Sequence, residues 1–92
     1  MLNFADVEEA RRRIRDQIYI SPLSYSETIS RMSSSKVFFK LDNLQMTGSF
    51  KERGALNRLL TLTQDEAEHG VIPGSADNHA MAVSFHSRRL NV

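Results

Sequence analysis

The chain has 92 residues, no cysteine and a formal net charge of +1, with 12 Lys and Arg side chains against 11 Asp and Glu. This composition excludes disulfides, thiol nucleophiles and zinc–thiolate sites, and it gives no charge excess that would indicate a nucleic-acid or membrane partner. A chain of this length can form one small domain with a modest core. No segment reads as a secretory signal or a bilayer-spanning helix, so a cytoplasmic location is expected.

The first half of the chain predicts two helices and one strand. Apolar residues at helical spacing predict an amphipathic helix over Val7–Gln17, which a capping box between Asp6 and Glu9 would open. A short helix is predicted around Glu27–Met32. The β-branched and aromatic run Lys36–Leu41 predicts a strand that is buried on both faces.

Two further capping boxes predict the next helices. Ser49 with Glu52 would open a helix that runs to about Leu62 and carries a leucine stripe on one face. Thr63 with Glu66 repeats the pattern, and it predicts a short helix immediately afterwards.

The remaining segments complete an alternation of strands and helices. Gly70 is a candidate C-cap, Val71–Ile72 starts a predicted strand, Ser75–Asn78 forms a turn, and His79–Leu90 is predicted to be the last helix. This order predicts an α/β fold built from parallel βαβ units. Because two strands leave both sheet edges unpaired, residues 1–92 are expected to form a single partial domain with an incomplete sheet.

Two loops lead directly into helices, at Thr47–Gly54 and Ser75–Asn78. Loops at the carboxyl ends of strands collect ligands in α/β sheets, and helix starts offer free backbone N–H groups to an anion. Lys51 would lie in the first turn of its helix, where the helix dipole and partial burial both favour the neutral amine. Such an amine suits attack on an aldehyde. From spacing alone, a solvent-exposed helix lysine remains the alternative.

Two stretches carry a longer pattern: KLDNLQMTGSFKERGALNRL and EHGVIPGSADNHAMAV. Over about residues 7–92 the chain resembles the fold-type II pyridoxal-phosphate enzymes, whose fold is tryptophan synthase β-like. The likeness is strongest to the threonine dehydratases, which are threonine or serine ammonia-lyases. It implies a lyase of amino-acid metabolism and isoleucine biosynthesis. Such a lyase uses pyridoxal 5'-phosphate to convert L-threonine to 2-oxobutanoate and ammonia, or L-serine to pyruvate and ammonia.

The resemblance also assigns roles to individual residues. It implies that Lys51 bonds covalently to pyridoxal phosphate and is catalytic, that Phe50 packs behind the cofactor ring, and that Asn78 hydrogen-bonds the ring hydroxyl. It implies no metal site. The residues expected to receive the substrate are Ser75, Ala76, Asn78 and His79. Considered as residues alone, these positions could instead be a core phenylalanine, a helix N-cap, a turn serine and a structural histidine.

Several positions depart from the family pattern. Asp77 replaces a glycine that is expected to have a positive φ, and its carboxylate would face the substrate carboxylate. Pro73 would enter a buried strand and remove a hydrogen-bond donor from it. Met81 and Ala82 replace a Gln-Gly pair, and Asp42 replaces a glutamate.

The family's glycine-rich phosphate loop and its ligand for the pyridine nitrogen belong to later segments, and the four glycines here form no such loop. We therefore predict an amino-terminal fragment that is inactive by itself. One alternative is a non-catalytic fragment that pairs with a full-length homologue as a regulatory or decoy subunit, or forms a homo-oligomer. Another is a split enzyme that a second chain completes.

Overall fold

A computed structural model describes all 92 residues. Its helices are all too short or too polar to span a bilayer. A one-turn 3-10 helix at Asp42–Leu44 precedes the third α-helix. The elements in chain order are α1 (Phe4–Ile14), β1 (Leu23–Tyr25), α2 (Glu27–Ser33), β2 (Phe38–Lys40), α3 (Lys51–Leu60), α4 (Gln64–His69) and α5 (Asn78–Leu90).

Helix α1 begins and ends three residues earlier than predicted. Its capping box joins Asn3 and Asp6: the Asn3 side chain accepts from the Asp6 N–H at 3.2 Å, and the Asp6 carboxylate accepts from the Asn3 N–H at 2.8 Å. The predicted Asp6–Glu9 box is therefore wrong, because Asn3 already has the extended backbone that a cap requires. After Ile14 the chain closes in a tighter turn, in which the Gln17 N–H donates to the Ile14 carbonyl.

The two strands form a small antiparallel sheet. Leu23 pairs with Lys40, Ser24 with Phe39, and Tyr25 with Phe38. Helix α2 lies in the connection between the two strands. The prediction of parallel pairing is wrong for these residues, and the strand is exposed rather than buried on both faces. Residues 71–72 form no strand, because the backbone there has no neighbouring strand with which to pair.

The other predicted helices are confirmed with small changes of boundary. Helix α2 covers the short helix expected after β1. Helix α4 opens with the predicted box of Thr63 and Glu66 and ends at Gly70, whose φ of 75° is the left-handed value that favours glycine there. Helix α5 begins one residue before the predicted start and ends at Leu90 as predicted.

Helix α3 contacts both α1 and α5 and carries the centre of the small core. The buried apolar residues are Ile14, Ala55, Leu56, Leu59, Ala82 and Val83, and eight polar or charged residues are buried beside them. Many large apolar side chains stay exposed, among them Ile20, Phe38 and Ile72. The radius of gyration is 15.8 Å, against about 12 Å for a compact domain of this length. The start of α3 is therefore held by a thin core and is open on one side.

Candidate active site

Lys51 is the first residue of α3 and lies on the surface. Its backbone N–H donates to the Ser49 hydroxyl at 3.3 Å, and its ammonium lies 5.6 Å from the centroid of the Phe50 ring. No carboxylate lies within ion-pair distance of its Nζ. The predicted partial burial of Lys51 is wrong, since no part of the chain covers this side of the helix start. The amine is accessible and free of a competing anion.

The loop before Lys51 is held in place by Glu52, the residue that follows Lys51. Gly48 has a φ of 78°, which turns the chain into the helix. Oε1 of Glu52 accepts from the Thr47 N–H at 2.7 Å and from the Thr47 hydroxyl at 2.8 Å. The predicted capping box between Ser49 and Glu52 is therefore wrong. Phe50, the residue before the helix, already has helical backbone angles, so the carboxylate reaches back to Thr47 instead.

Phe50 is also exposed, at 65% of its surface, rather than packed in a core. Its ring and the Lys51 ammonium therefore face solvent side by side. A cleft of about 480 Å³ runs beside this position, lined by Phe39, Lys40, Leu41, Asp42, Asn43, Gly48, Ser49 and Phe50. The loop that begins at Thr47 therefore both lines this cleft and leads to Lys51.

The second predicted loop is exposed and leads into α5. The Ser75 hydroxyl accepts from the Asp77 N–H at 3.2 Å, and Asp77 is the residue before the helix. Asn78, which spacing alone allowed as the N-cap, is instead the first helical residue, and its side-chain amide makes no hydrogen bond within the chain. Ala76 is exposed and His79 is half-buried. The first backbone N–H groups of α5 are free to meet an anion, as expected for a helix start.

Two predicted consequences of the sequence departures do not hold. Asp77 has a φ of −125°, which any residue can adopt, so no positive φ is imposed there. Pro73 lies half-buried in an irregular segment and removes no strand hydrogen bond. The Asp77 carboxylate remains exposed beside the α5 start, so its repulsion of an anion is still expected.

The two loops are linked only through the helices that follow them. Helices α3 and α5 pack together through Ala55, Ala82 and Val83. No hydrogen bond or ion pair joins Thr47–Gly54 to Ser75–Asn78. The structure therefore brings the two helices together and leaves the loops without a direct bond.

Two charged clusters were not predicted from the sequence, and each includes a buried carboxylate. The Asp42 carboxylate accepts from Arg53 Nε at 2.6 Å, from Arg53 Nη2 at 3.0 Å and from the Ser21 hydroxyl at 2.5 Å. These bonds, led by the one from Arg53, hold the pKa of Asp42 well below its ordinary range against the opposing effect of burial. Asp42 thus joins the 3-10 helix to α3 through Arg53.

The second cluster joins α3 to α5. Glu52 and His86 are both fully buried, and Glu52 Oε2 lies 3.8 Å from His86 Nε2. Spacing could have revealed the burial of Glu52, although not its partner. Glu52, Leu56 and Leu59 follow helical spacing on one stripe, so Glu52 shares the buried face of the leucines rather than acting as a cap.

Comparison with known proteins decides the family. A model of the family described as "Pyridoxal-phosphate dependent enzyme" matches residues 14–92. The chain belongs to this pyridoxal-phosphate dependent enzyme family. The predicted fold class, the amino-terminal region of a fold-type II enzyme, is confirmed, and its sheet here has two strands.

Relatives within the pyridoxal-phosphate dependent family include lyases and racemases. The chain is 38% identical over 85 residues to the L-threonine ammonia-lyase of Thermotoga maritima, covering 92% of this chain and 21% of that protein. It is 40% identical over 83 residues to the serine racemase of Dictyostelium discoideum, covering 90% of this chain and 26% of that protein. A crystal structure of the Dictyostelium racemase superposes with a TM-score of 0.91 and 37% identity, over 99% of this chain and 30% of that one. The chain thus spans between a fifth and a third of the length of these relatives.

The donor set at the two loops fits the cofactor of the family. Lys51 offers an accessible amine without an ion pair, beside the exposed ring of Phe50. Asn78 offers an amide that no protein group occupies, and the start of α5 offers backbone N–H donors. An amine for an aldehyde, an aromatic surface for a ring and donors for oxygen atoms are among the groups that bind pyridoxal phosphate.

Proposed function

We propose that Lys51 is the residue that bonds to pyridoxal phosphate and that this chain contributes it to an ammonia-lyase for L-threonine or L-serine. The observation that carries the proposal is the accessible, unpaired amine at the start of α3. It lies within the residues that match the family model. The ammonia-lyase relative supports the choice of reaction.

The proposed roles follow from the chemistry of each side chain. When bound, pyridoxal phosphate supplies a sink for the electron pair left on the substrate α-carbon. Once the amino group of the substrate has replaced Lys51 on the cofactor, the released Nζ of Lys51 would take the α-proton as a general base. The ring of Phe50 would provide an apolar surface for the cofactor ring, and the Asn78 amide would donate to its hydroxyl.

The second loop would receive the amino-acid substrate. The Ser75 hydroxyl, the backbone N–H groups after Ala76 and the start of α5 would bind its carboxylate, with His79 supporting the helix turn. Loss of the β-hydroxyl as water, followed by hydrolysis that consumes one water and releases ammonia, would give 2-oxobutanoate from threonine and pyruvate from serine. A cytoplasmic location and a place in isoleucine biosynthesis belong to the same proposal.

We also propose that residues 1–92 act as a single partial domain and that the isolated polypeptide has little or no turnover. Lys51 and Phe50 face open solvent, and no enclosed cavity surrounds them. An exposed site leaves the reacting groups in water, where electrostatic stabilisation is weak. The exposed apolar side chains around β1 and β2 also fit the alternative of a non-catalytic subunit that pairs with a homologue or with a second copy.

The test is a titration of the purified protein with pyridoxal phosphate, followed by absorbance and by product formation. We expect a new visible-range band that Lys51→Ala abolishes and that Lys36→Ala, at an exposed lysine on the surface, retains. We then measure two products together: 2-oxobutanoate from L-threonine and D-serine from L-serine. An unchanged band in Lys51→Ala would refute the assigned lysine. Formation of D-serine without 2-oxobutanoate would favour the racemase reaction of the Dictyostelium relative. Robust turnover would contradict the proposed inactivity, and co-purification with an intact homologue would support the subunit alternative.

A further inference from the structure

A buried acid and a buried histidine meet where α3 and α5 pack, and the proposed reaction does not use them. Glu52 and His86 are each fully shielded from solvent. Glu52 Oε2 and His86 Nε2 lie 3.8 Å apart, and neither atom has a hydrogen-bond partner. Buried polar atoms without partners are rare in folded proteins, and such atoms call for a physical explanation.

The partner of the other ring nitrogen fixes the protonation of His86. Nη1 of Arg89 lies 3.0 Å from His86 Nδ1, and a guanidinium can only donate. Nδ1 must therefore accept, which places the ring proton of the neutral imidazole on Nε2, the nitrogen nearest to Glu52. Burial lowers the pKa of His86, and Arg89 lowers it further against the opposing effect of Glu52. The pair is therefore a carboxylate that faces a neutral N–H donor.

The second oxygen of Glu52 holds the loop that carries the cofactor lysine. Oε1 accepts from both the N–H and the hydroxyl of Thr47, at 2.7 and 2.8 Å. Lys51 lies four positions after Thr47, and Glu52 follows that lysine directly. One carboxylate therefore binds the start of the loop through Oε1 and faces α5 through Oε2.

We propose that the buried Glu52–His86 pair positions the Thr47–Phe50 loop and thereby sets the direction in which it presents Lys51 to pyridoxal phosphate. Glu52 and His86 are positioning residues in this account, and neither contacts the cofactor. The inference rests on the proposed role of Lys51. Helix α5 would thus contribute to the lysine site through His86, which lies about two turns after the first residue of α5.

A conservative substitution tests the proposal sharply. In Glu52→Gln the amide nitrogen must face either the Thr47 donors or the His86 Nε2–H, so one donor–donor contact forms in either orientation. We expect the Thr47 amide proton to exchange about tenfold faster, because hydrogen bonds to charged groups are among the stronger ones. Combining Glu52→Gln with His86→Phe removes the ring donor, and it should restore much of the Thr47 protection. A general loss of stability would not produce that rescue.

The matched control is a surface acid–histidine pair with the same distance between its oxygen and nitrogen atoms. Asp65 Oδ1 and His69 Nδ1 of α4 also lie 3.8 Å apart but are largely exposed. We measure Thr47 amide exchange and the imidazole ¹⁵N shifts of His86 by NMR, and the pyridoxal-phosphate affinity by absorbance, in the unsubstituted protein, Glu52→Gln, the double variant and Asp65→Asn. We expect Glu52→Gln to weaken cofactor affinity about tenfold and Asp65→Asn to leave it unchanged.

The outcomes separate this proposal from the proposed function. Unchanged Thr47 exchange in Glu52→Gln, or ¹⁵N shifts that place the His86 proton on Nδ1, would overturn the positioning role whether or not cofactor binds. Faster Thr47 exchange with cofactor affinity equal to that of Asp65→Asn would also overturn it, because the pair would then be a structural contact only. Failure of the unsubstituted protein to bind pyridoxal phosphate would refute the role of Lys51, while the NMR measurements would still decide whether the pair holds the loop.

Discussion

Replacing Asp42 by asparagine should remove the charge that ties the 3-10 helix to α3. Asp42 accepts three short hydrogen bonds, two from the Arg53 guanidinium and one from the Ser21 hydroxyl. Its side chain is 9% exposed, whereas that of Arg53 is 37% exposed, so water partly screens the pair. A hydrogen bond to a charged group contributes about 1.5–3 kcal/mol, and asparagine keeps one acceptor oxygen. We therefore expect Asp42→Asn to lower the free energy of unfolding by about 2 kcal/mol.

The loss should depend on pH in one direction. The Arg53 hydrogen bond holds the pKa of Asp42 in the folded state below its value of about 3.9 in the unfolded state. Near and below pH 4 the unfolded chain therefore binds more protons, and the stability that Asp42 contributes is lost as the pH falls towards the folded-state pKa. That stability is complete at neutral pH. Asparagine does not titrate, so the difference between the two proteins should shrink as the medium is acidified.

Urea unfolding followed by circular dichroism at pH 7, 5 and 3 measures this difference. The control is Asp16→Asn, whose carboxylate is 87% exposed and lies 3.9 Å from Arg15 Nε. We expect the control to change stability by less than about 0.5 kcal/mol at every pH. A difference between Asp42→Asn and the unsubstituted protein that is as large at pH 3 as at pH 7 would refute the reasoning, and so would an equal loss in the control.

Two further predictions concern the loops and helix starts. Gly48→Ala should destabilise the protein by about 1 kcal/mol, because the φ of 78° is strained for alanine. Gly54→Ala should stabilise it by about 0.5–1 kcal/mol, because a Cβ at this helical position meets open space. Thermal unfolding of both variants tests the contrast, and equal effects on stability would contradict it. Asp77→Asn should raise the affinity for the amino-acid substrate roughly fivefold, since a like charge at 4 Å from the substrate carboxylate costs about 1 kcal/mol in water and asparagine caps a helix equally well. A titration of both proteins with L-serine in the presence of pyridoxal phosphate checks that result, and an unchanged affinity would show that the Asp77 carboxylate does not face the substrate carboxylate.

Local signals in the sequence predict the helices well and the sheet poorly. The box of Thr63 and Glu66, with Gly70 as the stop, predicts α4 because every group involved lies within one short segment. The run at Lys36–Leu41 indicates a strand, but the identity and direction of its partner depend on residues far along the chain. Leu23–Tyr25 has no clear β pattern, so sequence alone does not reveal the antiparallel partner.

The candidate site divides in the same way. The motif around Lys51 predicts which side chain carries the chemistry, because the family resemblance is concentrated there. It does not predict burial, since covering the lysine requires long-range contacts that local patterns do not encode. The Glu52–His86 pair spans 34 positions of sequence and joins two helices, and only the packing of α3 against α5 reveals it.

Chemical trapping of the cofactor lysine tests the central claim most directly. The purified protein is incubated with pyridoxal phosphate, reduced with borohydride, digested and mapped by mass spectrometry, with Lys51→Arg as a charge-preserving comparison. Our account predicts that the reduced cofactor is attached to Lys51 and that labelling is lost in Lys51→Arg. Labelling spread equally over Lys36, Lys40 and Lys51, or labelling confined to one of the other two lysines, would contradict it.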